Sequence, residues 1–348
     1  RAASAFVVAA VLLVATGWLD DRFDLRWWLR IGVQVAVALI LIYGGGVRIE
    51  HLGPVFGIGD TPLGTLSVPI TVFATVGLIN AMNMIDGVDG LAGTLVLATL
   101  VMVVAAAAYS GNVPLVKRSL VMAGAVIGFL AFNFRFPWRA RAHAFMGNSG
   151  AALLGLVVAW TCFRLTQNEG HPVSPVLALW LAPVPVMDCL VLIVRRLRQG
   201  RSPFSADHDH VHHIMRDAGF GPAGTAIGLS VFTLLAGLLM GQCMRWNLPE
   251  PLLMAAYLAA MIPGAINGTL ISRLRVPAFI GTLGMYGVAR GAGFLADLCV
   301  AWEEEARAAD KLDAKLKLEA HWLERGVTAR RKRNQGRLAK LYEMRAAR

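Results

Sequence analysis

The chain has 348 residues, of which 56% are hydrophobic and 16% charged, and it carries a formal net charge of +11. Soluble domains are about one quarter charged, so this composition excludes an ordinary soluble globule. With a mean hydropathy of +0.58, the chain is expected to be an all-α polytopic bundle of transmembrane helices.

A hydrocarbon core of ~30 Å takes roughly 20 residues of helix to cross. Runs of that kind fall near 2–19, 29–46, 66–83, 91–109, 119–134, 149–166, 175–194, 224–244 and 251–272, with a weaker one near 277–299. Nine spans and a weaker tenth are therefore expected. Cys162, Cys189, Cys243 and Cys299 lie singly within these runs. Without a C-x-x-C spacing they suggest packing rather than a disulfide framework or a zinc site. The chain opens on Arg1, and its first run is too long and wrongly flanked for a cleaved signal peptide, so truncation at the N-terminus is expected.

Cytoplasmic loops carry the excess of Lys and Arg. If 20–30 is cytoplasmic, so are 84–90, 135–148 and 195–221. Together they hold Arg22, Arg26, Arg30, Arg135, Arg139, Arg141, Arg195, Arg196, Arg198, Arg201 and Arg216, eleven cations against four (Arg48, Lys117, Arg118, Arg245) on the opposite face. This sets the orientation without using any motif.

Asp20-Asp21 closes the first run. Adjacent carboxylates repel, which suits a base or a metal site unless Arg22 and Arg26 merely salt a solvated helix end. The loop 44–65, with its glycines and prolines, reads as turns on the outer face. Next comes Asn80-Ala81-Met82-Asn83-Met84-Ile85-Asp86-Gly87-Val88-Asp89-Gly90-Leu91-Ala92-Gly93, two amides, two acids and three glycines between apolar runs. Burying an unpaired carboxylate is costly, so such acids are paired, wetted or used. If Gly87 and Gly90 open a helix, Asp86 and Asp89 share one side of its first turn.

Arg135 to Arg141 reads as a basic, aromatic anchor at the headgroups. In Phe145-Met146-Gly147-Asn148-Ser149-Gly150, Asn148 or Ser149 is expected to cap the following helix. The last cytoplasmic loop carries Arg195, Arg196, Arg198 and Arg201, then His210, His212 and His213. The arginines suit a diphosphate, or equally positive-inside anchoring or anionic lipid. Three imidazoles within four residues suit a metal, a proton relay or an anion.

With those segments on one face, the chain resembles the polyprenyl-phosphate N-acetylhexosamine-1-phosphate transferases over about residues 1–246. The matching pieces are Asp20-Asp21, the stretch from Asn80, the Phe-Met-Gly-x-x-Gly turn from Phe145 and the Arg-Ser-Pro-Phe-Ser…His-x-His-His loop from Arg201. The form of the histidine loop looks like the WecA-like branch. The resemblance implies transfer of N-acetylglucosamine 1-phosphate from UDP-N-acetylglucosamine to undecaprenyl phosphate, with release of UMP. It implies Mg²⁺ or Mn²⁺ as cofactor, and a cytoplasmic site on a bacterial inner membrane that serves cell-envelope polysaccharide synthesis. Asp20, Asp21, Asp86 and Asp89 would be catalytic, and Asn80, Asn83, Arg201, His210, His212 and His213 would bind substrate. Asp21 and the residue at 148 would face the metal. Membrane lipid and a second copy of the chain are further expected partners.

Three features depart from the family. Its turn usually reads Phe-Met-Gly-Asp, with the Asp on Mg²⁺, whereas this chain has Asn148, a ligand without charge. Spans that normally precede the Asp-Asp pair are missing. After about residue 247 the pattern changes: 247–299, including Ile262-Pro263-Gly264 and Arg275-Val276-Pro277, looks like part of a ribose-type ABC permease. Within the charged helical tail 300–348, Trp322 to Arg337 looks like the linker of ABC-F ATPases, without a phosphate loop to support an ATPase. From Arg325 to Arg348 nine Lys and Arg stand against the single acid Glu343. Such a helix suits anionic lipid or RNA, or is simply solvated. If 277–299 crossed fully, this tail would lie outside, against the positive-inside rule, so a re-entrant run, an interfacial run or a gene fusion is expected there. Two competing readings remain: an inactive transferase relic, and a transporter, which predicts polar residues at the bilayer midplane.

Overall fold

A computed structural model describes residues 1–261, apart from 58, 137, 140, 169, 171, 172, 201–209 and 218. Arg201, the permease-like 262–299 and the tail 300–348 lie outside the described residues. The architecture is helical: α1 (Ala2–Phe23), α2 (Trp27–Leu39, prolonged by a π turn, Ile40–Gly44), α3 (Ser67–Ile85), α4 (Leu91–Tyr109), α5 (Val113–Asn133), α6 (Gly147–Thr166), α7 (Pro175–Leu181), α8 (Pro183–Arg198), α9 (Val211–Asp217), α10 (Pro222–Arg245) and α11 (Glu250–Met261).

Seven of these are long and apolar enough to cross a membrane, and α7 with α8 makes an eighth if the bent pair is one span. The chain is thus a polytopic helical membrane protein. The expected straight span at 175–194 is instead broken, with a 90° bend between α7 and α8. Pro183 is the cause. It lacks the N–H that would continue α7, and its ring forces Ala182 off the helix to φ −130°, ψ 51°. The expected ninth span begins as α11, which is only a short apolar helix within the described residues.

Helices α6 and α4 form the centre, with 78% and 61% of their apolar stretches buried, against 22% for α1 and 28% for α2 and α5. Small residues let α6 approach its neighbours. A Cβ on Gly155 would stand 2.5 Å from Ile79 Cα, and one on Gly17 would stand 2.5 Å from Ser149 Cα. These two crossings bring the end of α1, the end of α3 and the start of α6 together. Gly155→Ala is accordingly expected to cost about 1–3 kcal/mol, read as a lower thermal midpoint in detergent. A midpoint unchanged within error would contradict the close crossing.

Candidate active site

Helix α1 ends because Asp24 turns left-handed (φ 49°) while its N–H still bonds Asp20 O. The reversal lays the start of α2 over the Asp20 carboxylate. Oδ1 accepts from Leu25 N–H at 3.0 Å, and Oδ2 accepts from Arg30 Nη1 at 3.1 Å and from Asn148 Nδ2 at 2.9 Å. Arg30, not Arg22 or Arg26, supplies the countercharge. Asp21 Oδ1 accepts from Asn148 N–H at 3.0 Å. Gly147 is left-handed (φ 65°), and a Cβ there would stand 2.7 Å from Asp21 Oδ2, so only glycine fits beneath that oxygen.

Asn148 does not cap α6 as expected, and neither does Ser149. The N-cap position falls on Met146 without a side-chain bond. Asn148 instead ties three helices together, because its Oδ1 accepts from Asn83 Nδ2 at 3.1 Å while its Nδ2 goes to Asp20. One turn earlier on α3, Asn80 Nδ2 donates to Gln34 Oε1 at 2.6 Å and to Val76 O at 2.8 Å.

The acids of the following stretch do not sit in the first turn of a helix. Asp86 ends α3, Gly87 N–H folds back to Ile85 O, and α4 opens only at Leu91, with Gly90 at φ 81° as its N-cap. Asp86 and Asp89 therefore occupy the connecting turn. Asp89 takes both Arg135 Nε and Nη2 at 2.7 Å, while Asn133 Oδ1 accepts from Gly90 N–H at 2.8 Å. Asp86 has no cation against it among the described residues. Burial, and then Asp89, push its carboxyl up to about 7.

The histidines follow α8. His210 Nδ1 meets Asp188 Oδ2 at 2.7 Å, and Val211 N–H donates to Asp188 Oδ1 at 2.9 Å. The His212 ring lies 4.2 Å from that of His213 and 5.6 Å from that of His210, and it packs on Gly87 where a Cβ would otherwise be. It is 1% exposed, and neither ring nitrogen has a hydrogen-bond partner among the described residues. Burial, then His213 and His210, lower its value to about 4, so it is neutral near neutrality. The folded value lies below that of the free imidazole. Stability from this group is therefore full above about pH 6.5 and is lost as pH falls toward about 4. A thermal midpoint that drops between pH 7.5 and pH 5, and drops less in His212→Gln, is the expected result; equal drops would contradict it.

Asn80, Asn83, Asp86, Arg30, Arg196 and all three histidines line one cavity of about 1240 Å³, which continues between apolar walls as far as Leu52 and Phe56. Asp86 is the one carboxylate in that lining among the described residues. Asp20, Asp21 and Asn148 brace it from behind, and Asp89 faces Arg135.

No three His, Cys, Asp or Glu side chains converge as a metal cage among the described residues. Magnesium seldom needs one, since one or two carboxylates plus substrate phosphates commonly hold it. The cation-free Asp86 carboxyl, which shares the cavity lining with the amide of Asn83, fits that kind of site.

Sequence reasoning missed four residues. Gln34 and Arg30 are polar residues four apart on an otherwise apolar α2, and that spacing was the available signal. Asp188 is a lone acid in an apolar run, the same anomaly that singled out Asp86. Asn133 carried no signal beyond its place at the end of a span.

The start of α2, the end of α3, the later part of α6, α8 and the histidine segment thus line one large cavity, polar where Asp86 and the histidines meet and apolar beyond them, within a helical membrane bundle. Residues 3–166 match glycosyl transferase family 4. The chain is 35% identical to the undecaprenyl-phosphate alpha-N-acetylglucosaminyl 1-phosphate transferase of Escherichia coli O157:H7 over 264 residues, covering 75% of this chain and 71% of that one. It is 34% identical over 278 residues to the protein so named in Yersinia pestis, covering 79% and 75%. The corresponding Haemophilus influenzae protein is 38% identical over 214 residues, covering 62% and 60%. The chain belongs to glycosyl transferase family 4 and is a phosphoglycosyl transferase.

Proposed function

We propose that the protein transfers N-acetylglucosamine 1-phosphate from UDP-N-acetylglucosamine to undecaprenyl phosphate at the cytoplasmic face of a bacterial inner membrane, an early step in envelope polysaccharide synthesis. The observation that carries this reading is the cavity: cations, amides and the Asp86 carboxyl at its polar end, and apolar walls leading away from them. A soluble nucleotide sugar suits the first part and a polyprenyl chain the second. The excess of arginines at that end supports the cytoplasmic placement.

In the reaction a phosphate oxygen of the lipid attacks the β-phosphorus of the donor. The bond from that phosphorus to the bridging oxygen breaks, and UMP leaves with the bridging oxygen. Arg30, held by Asp20, and Arg196 lie where two like-charged phosphates must meet. A phosphate monoester loses its last proton near pH 6, so the Asp86 carboxyl, at about 7, suits removal of any that remains. His210, His212 and His213 bind the donor. A bound Mg²⁺, held through Asp86, Asn83 and Asn148 with Asp21 behind them, would screen phosphate charge. With β-³²P-labelled donor, the label is expected to move into the lipid together with the sugar. Label remaining in UDP while sugar alone moves would overturn the reading.

Asn148 favours a second reading, a relic that binds the donor without turnover. Donor binding with no labelled lipid at any Mg²⁺ or Mn²⁺ concentration would select it.

A further inference from the structure

We infer that Asp188 is a positioning residue for the histidine segment: its carboxylate holds the His210 ring in one tautomer and orientation while fixing the first N–H of α9. The inference rests on the proposed role of His210 as a donor ligand. Both members are enclosed, their side chains 10% and 7% exposed. An ionised carboxylate only accepts hydrogen bonds, so the proton of the 2.7 Å contact sits on His210 Nδ1. Nε2 is then the atom left to meet a ligand, and His210 lines the cavity. The second oxygen bonds Val211 N–H at 2.9 Å, so a single side chain sets both the ring and the helix that carries His212 and His213.

The bend at Pro183 gives this residue its place. It starts a separate helix, α8, whose next turns present Asp188 to His210 and Arg196 to the cavity. An asparagine at 188 keeps the shape but has one oxygen for two donors. If its oxygen stays on Val211 N–H, its amide turns toward His210 Nδ1 and demands the other tautomer.

The test is a double-mutant cycle on purified full-length protein in nanodiscs, with UDP-N-acetylglucosamine and undecaprenyl phosphate as substrates. Asp188→Asn is expected to lower kcat/KM for the donor roughly 10- to 100-fold, the range for losing a hydrogen bond to a charged group, with KM for the lipid unchanged. In a His210→Gln background the same change is expected to cost less than about 3-fold. ¹⁵N spectra of histidine-labelled protein should show His210 protonated at Nδ1 in the wild type and not in Asp188→Asn. Independent, multiplying losses, or a wild-type ring protonated only at Nε2, would overturn the inference. Should Asp188→Asn fail to fold, Asp188→Glu, which keeps the charge and both oxygens, carries the same cycle. Wild-type protein that makes no product sinks the functional reading instead, and the ¹⁵N measurement still decides this one.

Discussion

Asp86→Asn is expected to lower turnover about 10³-fold, about 4 kcal/mol of transition-state stabilisation, without loss of the fold. Among the described lining residues it is the only carboxylate, which makes it the described residue best suited to take a proton or hold a cation there. Its value of about 7 makes the wild type lose activity as pH falls through neutrality, because only the ionised form serves either role. Added Mg²⁺ should move that limb to lower pH, and Asp86→Asn should abolish it. Stability moves the other way. The folded value lies above the free value of 3.8, so the native carboxyl keeps a proton that the unfolded chain releases, and stability declines as pH rises through about 4 to 7. The asparagine avoids that loss. At pH 8, without metal or substrate, the variant should melt above the wild type. A variant that is inactive and also melts lower would mean that Asp86 supports the fold rather than the chemistry.

Asn148→Asp is the second large effect, and it turns on Mg²⁺. In the wild type the Asn148 amide donates to Asp20 at 2.9 Å and accepts from Asn83 at 3.1 Å, closing a neutral link between an acid and an amide. A carboxylate there would stand against Asp20, with only the partly exposed Arg30 to offset it. Without metal the two acids repel, one is driven toward its protonated form, and the thermal midpoint falls by a few degrees. With Mg²⁺ the added charge should tighten apparent affinity about 10- to 100-fold, about 1.4–2.8 kcal/mol, and raise turnover at low metal. Titration of the thermal midpoint with Mg²⁺ reads both arms in one experiment. Equal Mg²⁺ dependence in the two proteins would show that position 148 does not face the metal.

The spans were legible because each needs only an apolar run of sufficient length, and α1 to α6 and α10 stand close to where hydropathy puts them. Of the residues lining the cavity, Asn80, Asn83 and Asp86 stood out as polar residues at the end of an apolar run, and His210, His212 and His213 as a cluster in a polar loop. Their partners did not. Asn148 meets Asp20 across 128 positions of chain, a pairing that depends on how closely α6 approaches α1 at Gly17 and α3 at Gly155, and no local period records it. Helix capping was misread for the same reason. Asn148 has the right type for a cap, but tertiary donors and acceptors claim its side chain first. The break before Pro183 was written plainly in Ala182-Pro183-Val184-Pro185. Hydropathy averaged over the run concealed it, and with it the place of Asp188.

The central claim is that one polar cavity brings a nucleotide sugar to a lipid phosphate. Release of UMP tests it most directly: purified protein is incubated with UDP-N-acetylglucosamine and Mg²⁺, with and without undecaprenyl phosphate. The account predicts UMP formed in step with lipid-linked sugar, dependent on the lipid and reduced about 10³-fold in Asp86→Asn. UDP as the nucleotide product, or UMP formed equally without the lipid, would contradict it.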